Sequence, residues 1–433
     1  MANELSRRDF IKTSAVVGAG VSTALSASKV HGANDRIRLG LVGTANRGGQ
    51  LMRAALEFDD VEIGALCDVD LSQMEARRPE LPEGVPEYQD YRDMLNNEEL
   101  DGVIIATPDH WHALQAIHSV EAGLDVYLEK PLTMTVVEGQ KLVEAVNRSN
   151  QVVQIGLQRR SADIYHDLHD YVQDGNIGKV TVARAYRISN MYPEGIGRSE
   201  VTDPPDHLDW DMWLGPRAYR PYQDNITPYY FRWWSDYSSQ LANWGVHYFD
   251  LIRWMLDEET PRYISAHGGK YAIDDDRTIP DTLEVTYEFE NGGLVVFGHY
   301  EASGHSMFPF GDIELRGTQG VVYSDWRRFE VVPERGGQFQ RSEPRMDAVE
   351  RESDQDDVTL DHMRNFLDCV KSRETPNCDA ETGHKSDLFA RLGNIALETK
   401  ARLEWDADAG RFVNNDEANE RLHYEYREPW TLP

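Results

Sequence analysis

From residue 39 to residue 48 the chain reads Leu39-Gly40-Leu41-Val42-Gly43-Thr44-Ala45-Asn46-Arg47-Gly48, an apolar run that breaks into glycines at a spacing suited to phosphate. In Gly43-x-Ala45-x-x-Gly48 the first glycine permits a sharp turn and the small middle residue lets backbone approach a pyrophosphate. The last glycine lets a helix begin close against the strand. That helix would aim its free N–H groups and positive dipole end at the same point. Alanine in the middle place is bulkier than glycine but still allows approach. Asp68 closes the next apolar run, ~20 residues beyond Gly48, where an acidic side chain accepts hydrogen bonds from an adenosine ribose. The combination predicts a dinucleotide site, with NAD favoured over NADP. Thr44, Asn46 and Arg47 fill the turn. Two later segments, Ala106-Thr107-Pro108-Asp109-His110-Trp111-His112 and Glu129-Lys130-Pro131, end further predicted strands on the edge where a dinucleotide would lie. Thr107, Pro108, His110, Trp111, Glu129 and Lys130 are therefore cofactor candidates.

The elements that must position these residues follow from periodicity. Residues 36–157 alternate short apolar runs (Ile37–Val42, Val61–Asp68, Gly102–Ala106, Asp125–Leu128, Val152–Ile155) with helical stretches at Gly48–Glu57, His110–Ala122 and Thr135–Ser149. This is the βαβ rhythm of a doubly wound parallel sheet. Arg78–Pro86 reads as a loop and Tyr91–Leu95 as a turn. Beyond Arg159 longer alternating strands follow: Val180–Ile188, Tyr263–His267, Leu283–Glu290 and Leu294–Tyr300, the last two joined by the turn Asn291-Gly292-Gly293. Ile313–Leu315 and Val321–Ser324 form a second expected hairpin. The fold class is α/β, with a second α+β domain built on an open, mainly antiparallel sheet. An aromatic-rich insertion over 204–256 ends in a helix near Gln240–Leu256, Arg335–Asp357 reads as a loop, and helices return at Leu360–Lys371 and Ser386–Arg402.

Composition narrows the function classes. With 75 acidic against 44 basic residues and a formal net charge of −31, no basic patch could hold nucleic acid. Three cysteines make no disulfide framework; Cys67 falls on a buried strand, and Cys369 and Cys378 are expected to be separate thiols. The N-terminus carries Ser6-Arg7-Arg8-Asp9-Phe10-Ile11-Lys12 before a small-residue apolar run from Thr13 to Ser28, the arrangement of a twin-arginine leader that addresses folded proteins to an export machine. The run is too short for a spanning helix, which needs about 20 apolar residues. No transmembrane domain is expected elsewhere. The division is thus a leader over 1–33, a dinucleotide domain over 34–157 and a second domain over 158–433.

Glu129-Lys130-Pro131, the glycine turn, the Thr107-Pro108 strand end, and the C-terminal Asn365-Phe366-Leu367-Asp368-Cys369-Val370 and Tyr426-Arg427-Glu428-Pro429-Trp430 together resemble the exported bacterial branch of the Gfo/Idh/MocA oxidoreductases. The resemblance implies a Rossmann domain, an open-sheet domain through which members often form homo-oligomers, and a carbohydrate substrate. It also implies that Lys130 lies beside the nicotinamide and the reacting hydroxyl. The family's second catalytic element, Asp-x-x-x-His, matches Asn243-Trp244-Gly245-Val246-His247, so His247 is kept and Asn243 replaces the carboxylate. An amide can orient an imidazole but cannot stabilise its cation. His247 is therefore expected to be less basic than in relatives, with Asp250, one turn away, as a substitute partner. His247 and Asp250 gather no further ligands in sequence, so no metal is expected.

Six tryptophans lie between 210 and 254 (Trp210, Trp213, Trp233, Trp234, Trp244, Trp254), and most suit packing. Trp244, beside Asn243 and His247, is a substrate contact by proximity, and Gln158 and Arg159, after the last Rossmann strand, are expected to face the same cleft. An export leader on an NAD-dependent chain implies that the cofactor is carried out with the folded protein and recycled in place. Hydride transfer on a sugar, polyol or glycoside leads, with transient oxidation for elimination or epimerisation as one alternative. A nucleotide-retaining binding protein with a degenerate site is the other.

Overall fold

The computed structural model describes residues 36–433, so the leader expected over 1–33 lies outside the described residues. The first six strands are β1 (Ile37–Val42), β2 (Val61–Cys67), β3 (Glu87–Tyr88), β4 (Gly102–Ile105), β5 (Asp125–Leu128) and β6 (Val153–Ile155). They pair in parallel in the order β3-β2-β1-β4-β5-β6. That order reverses direction between β1 and β4, which opens a crevice at the carboxyl ends of those strands. Helices cover both faces, and every residue of β4, β5 and β6 is buried, the polar Asp125 and Gln154 included. The helix Val136–Asn147 begins with a reciprocal cap: Thr135 accepts from the Glu138 N–H while Glu138 accepts from the Thr135 N–H.

The segment Tyr91–Leu95 is not a turn but part of a helix, Tyr91–Asn97. Asp90 caps it by accepting from the Arg92 N–H, and Tyr91, Met94 and Leu95 bury one face at i, i+3 and i+4.

The second sheet has ten strands. They are β7 (Val180–Ile188), β8 (Tyr263–Gly269), β9 (Thr282–Glu288), β10 (Leu294–Tyr300), β11 (Ile313–Gly317), β12 (Gly320–Ser324), β13 (Arg328–Pro333), β14 (Val349–Glu352), β15 (Leu403–Asp406) and β16 (Arg411–Phe412). The order is β14-β13-β12-β11-β7-β10-β9-β8-β15-β16, antiparallel except where β7 runs alongside β10. Both expected hairpins form. Gly292 and Gly293 take φ of 80° and 129°, conformations that only glycine adopts without strain. The loop expected over Arg335–Asp357 carries β14, an edge strand whose residues Val-Glu-Arg-Glu are mostly exposed and so show no alternation. One face packs Ala183, Ala185, Val285, Tyr287, Val295 and Phe297 against the helices Asp163–Gln173, Val246–Leu256 and Ala380–Thr399. All three cysteines are free and buried.

Most of the aromatic insertion forms a core of its own, in which Trp210, Trp213, Trp233, Trp234 and Tyr237 are buried together. Trp254 packs elsewhere, under Arg160 and beside His166 and His169. This core docks on the Rossmann half, where the Trp111 indole donates to the carbonyls of Met212 and Trp213. Among the described residues no helix is long and apolar enough to cross a membrane.

Candidate active site

The glycine turn connects β1 to the helix Asn46–Leu56. Gly43 has φ of +84°, and a Cβ there would meet the Ala106 carbonyl at 2.8 Å. A Cβ on Gly48 would come within 1.8 Å of the Gly43 oxygen. Both positions are therefore closed to any side chain. Ala45 occupies the N-cap and supplies no side-chain acceptor, which leaves the first N–H groups of the helix free for an anion.

Asp68 stands at the end of β2. Its Oδ2 accepts from the Thr44 N–H at 2.7 Å and the Thr44 hydroxyl at 3.0 Å, and its Oδ1 accepts from the Asp70 N–H at 3.0 Å. Burial raises this carboxyl to about 6, against those three donors, so it is ionised at neutral pH. Those three donors fill about three of the four lone-pair sites of a carboxylate and leave one on Oδ1 for a ribose hydroxyl. Gly43, Asp68, Thr107, Trp111 and Gln115 line one recess beside the turn, and the Thr107 hydroxyl donates to Gln115 at 2.6 Å. The cradle thus fits a dinucleotide at both its phosphate and its ribose.

At the end of β5, Glu129 accepts from Arg47 Nε at 2.7 Å and from the Lys130 N–H at 3.1 Å. Arg47 belongs to the glycine turn, so this ion pair ties the phosphate end of the cleft to the lysine end. Lys130 Nζ donates to the Asn243 backbone carbonyl at 2.7 Å and to its Oδ1 at 3.0 Å. Burial lowers the Lys130 ammonium to about 8, with Glu129 opposing the shift. Asn243 Nδ2 donates to Gln240 at 3.2 Å, which fixes the amide with its oxygen toward the lysine. Asn243 lies in a π-helical turn, Leu241–Gly245, that leads directly into the helix Val246–Leu256. Wide turns of this kind recur where a helix must present a side chain out of regular register.

His247 sits one turn on and is held neutral, its basicity pushed well down by burial and by the charges of Lys130, Arg159 and Arg47. His247 was expected to be less basic than in relatives for want of a carboxylate at 243; here burial and neighbouring cations lower it, and neither expected partner bonds to it. Asn243 faces Lys130, and Asp250 is committed to Arg160 Nε at 2.9 Å and the Ser386 hydroxyl at 2.7 Å. His247 Nδ1 is buried without a hydrogen-bond partner, as are Gln158 Oε1, Arg159 Nη1 and Arg47 Nη2. Buried polar atoms without partners are scarce in native proteins, and this group marks where a ligand is needed.

Of the remaining expected site residues, Asn46 opens the helix after the turn and Pro108 caps the helix Asp109–Glu121. His110 is withdrawn from the cleft: it is fully buried, its Nε2 meets the Trp213 carbonyl at 2.8 Å, and its ring packs on Trp213 and Tyr237. One helical step rotates it onto the insertion, where it serves the domain contact. Trp244 lies 6.4 Å from the His247 ring between centroids, with the Arg187 guanidinium 3.8 Å over it. Arg187 and Arg232 escaped the sequence reading, since neither lies in a motif. Arg232 stands close enough to Lys130 to help depress it. Among the described residues no group of His, Cys, Asp and Glu side chains could hold a metal ion.

The chain matches the family model described as the oxidoreductase family NAD-binding Rossmann fold over residues 37–157. It also matches the model for that family's C-terminal alpha/beta domain over residues 166–432. Residues 4–24 match the twin-arginine translocation signal sequence. A "Glycosyl hydrolase family 109 protein" of Shewanella pealeana is 32% identical over 34% of this chain, a match spanning only 38% of that relative. The rhizopine catabolism protein MocA of Rhizobium meliloti is 26% identical over 66% of this chain and 78% of its own length. Among solved structures, levoglucosan dehydrogenase in complex with NADH superposes with a TM-score of 0.64 at 15% identity, covering 86% of this chain and 99% of that one. The WlbA dehydrogenase from Bordetella pertussis, in complex with NADH and UDP-GlcNAcA, gives 0.63 at 18% identity over the same shares. With both halves of the family matched along nearly the whole described chain, this protein belongs to the Gfo/Idh/MocA oxidoreductases, NAD-binding enzymes, and carries a twin-arginine signal.

Proposed function

We propose that this chain oxidises a secondary hydroxyl of a sugar, polyol or glycoside, with Lys130 taking the hydroxyl proton. The observation that carries this reading is the paired hydrogen bond from Lys130 Nζ to Asn243, beside a neutral His247. Bound NAD supplies the two-electron acceptor. Gly43–Gly48 and Asp68 would hold its phosphates and ribose, and Glu129 fixes Arg47 between the two ends.

Lys130 titrating at about 8 is neutral in about one molecule in ten at pH 7 and half at pH 8. A neutral amine has two N–H groups and one lone pair. Both N–H groups are accepted by Asn243, which turns the lone pair outward to a substrate hydroxyl. An amide performs this orientation without stabilising the ammonium, which a carboxylate would do. Asn243 in place of aspartate is then a working adaptation. His247, neutral, offers one donor and one acceptor to an adjacent sugar hydroxyl, and Trp244 offers an apolar face to the ring.

The twin-arginine signal supports export of the folded protein to the periplasm with its cofactor already bound. A retained cofactor must return to its starting redox state, which favours coupled oxidation and reduction of two sugars. The likeness of about a third of the chain to a protein named for glycoside hydrolysis supports a second reading, transient oxidation followed by elimination. The test is to denature the exported protein, quantify nicotinamide released, and separately identify products from a glycoside panel by mass spectrometry without added cofactor. Stoichiometric nicotinamide and an oxidised or cleaved sugar are expected. Protein free of nicotinamide would refute retention, and an unchanged panel in its presence would leave only a binding role.

A further inference from the structure

In a chain with 75 acidic and 44 basic residues, cationic side chains should find carboxylates easily. Around Lys130 and His247, Arg47 pairs with Glu129 and Arg159 with Asp312, but among the described residues Arg187 and Arg232 form no ion pair. The side chain of Arg187, at the end of β7 on the helix-covered side, makes no ion pair or hydrogen bond among the described residues; its guanidinium carbon lies over the Trp244 ring, 3.8 Å from the centroid. Among the described residues the Arg232 side chain donates to the Tyr229 carbonyl at 3.0 Å and lies against the rings of Tyr229 and Phe231, with Asp109 and Glu129 near enough to act on its charge but not paired with it. Arg159 meets Asp312 at 2.7 Å and stacks over Tyr248, yet its Nη1 is buried without a partner. The phosphates of a dinucleotide do not account for these three. Arg47 and the helix N-terminus serve that end of the cleft, while Arg187 belongs to the other sheet. An oxidised nicotinamide would add still another positive charge near Lys130.

We infer that the substrate is an anionic sugar whose carboxylate is held by Arg187 and Arg159, with Arg232 on the Lys130 side. This rests on the proposed oxidoreductase reading, because Lys130 marks where the reacting hydroxyl must lie. Carboxylate suits the geometry: a guanidinium stacked on an aromatic face keeps its N–H edge free and its plane fixed, which matches a planar carboxylate through two parallel hydrogen bonds. The ring of the sugar would then bridge from that edge to Lys130. Uronates and aldonates are the chemical class.

The test uses the full chain loaded with NADH, titrated calorimetrically with matched sets of glucuronate, glucose and glucose 6-phosphate, and their galacto and manno counterparts. At least one uronate should bind about tenfold or more tighter than its neutral counterpart, the ratio expected of hydrogen bonds to a charged group. Arg187→Gln should remove most of that ratio while NADH affinity, read by nicotinamide fluorescence, is unchanged. Arg187→Lys should restore part of it. If Arg187→Gln does not fold, Arg232→Gln should lower the ratio in its place. Neutral sugars binding as well as uronates in every set, phosphates binding better than uronates, no sugar binding at all, or a ratio untouched by the variants would each overturn the inference. Failure of the oxidoreductase reading itself shows separately, as no reduction of bound NAD in the unsubstituted protein by the sugar it binds most tightly.

Discussion

Replacing Asn243 by aspartate supplies the carboxylate that the family resemblance implies at this place, and the geometry says that it should slow oxidation at neutral pH. Lys130 Nζ lies 3.0 Å from Asn243 Oδ1. Two unit charges at that distance attract by about 5 kcal/mol at an effective dielectric constant near 20, or about four pKa units as a ceiling. Opposite charges at such range more commonly shift a pKa by about 1–3 units. Lys130, now at about 8, would then titrate at about 9–11. The neutral amine at pH 7 falls from about one in ten to one in a hundred or fewer, so kcat/KM for oxidation drops about tenfold or more. The sign is fixed: the base acts deprotonated, so the rate climbs as pH passes its pKa, and Asn243→Asp moves that climb to higher pH. Both proteins should converge in strongly alkaline buffer. The assay is kcat/KM across about pH 6 to 10. A carbon-13 titration of methylated lysines gives the pKa without a substrate. An Asn243→Asp enzyme that is faster at pH 7 with an unmoved limb would refute the reasoning and mean that this side chain serves His247.

Other expectations follow from the same contacts. Gly48→Ala forces a methyl to within 1.8 Å of the Gly43 oxygen, so the turn must open; NAD binding measured by fluorescence should fall by tenfold or more, and retained affinity would contradict the cradle. Asp68→Ala removes the acceptor set aside for ribose and should weaken NAD by about 10–100-fold, the worth of hydrogen bonds to a charged group, while narrowing discrimination against NADP. His110 and His362 are fully buried, and burial lowers them to about 3 and about 4. Their folded pKa lies below the unfolded value of about 6.5, so the unfolded chain binds more protons and stability is lost as pH falls below that value. Between pH 7 and 5 each removes about 2 kcal/mol, offset in part by buried carboxyls such as Asp68 whose pKa is raised. Denaturant melts at the two pH values should show the loss, and equal midpoints would argue against neutral buried histidines.

The parallel sheet was legible because β1, β2, β4 and β5 are largely apolar runs between helices, and the glycine fingerprint fixed where the first crossover turns. The long strands of the second sheet were legible by alternation and by Asn291-Gly292-Gly293. β14 escaped because it is mostly exposed and charged and is a strand only through its pairing with β13, whereas the short helix at Tyr91 carries a local signal, the Asp90 cap and the Tyr91, Met94 and Leu95 spacing, in a segment short enough to read as a turn. In the site, Lys130, Asn243 and His247 are brought together as their motifs suggested, but who bonds whom was not. Spacing of four along a helix suggested that Asn243 orients His247. The π-helical turn instead sends the amide to a lysine 113 residues away in sequence. Arg187 and Arg232 could be found only in three dimensions, since an unpaired charge has no sequence signature.

The central claim is that the Lys130 amine takes the proton of the hydroxyl being oxidised. It is tested most directly by single-turnover oxidation in Lys130→Ala, with bound nicotinamide quantified in the same sample. Nicotinamide at the unsubstituted level, an unchanged melting temperature and a rate reduced about 10²–10⁴-fold, the usual worth of positioned proton transfer, are expected. Oxidation at the unsubstituted rate, in a protein that still holds its cofactor, would contradict it.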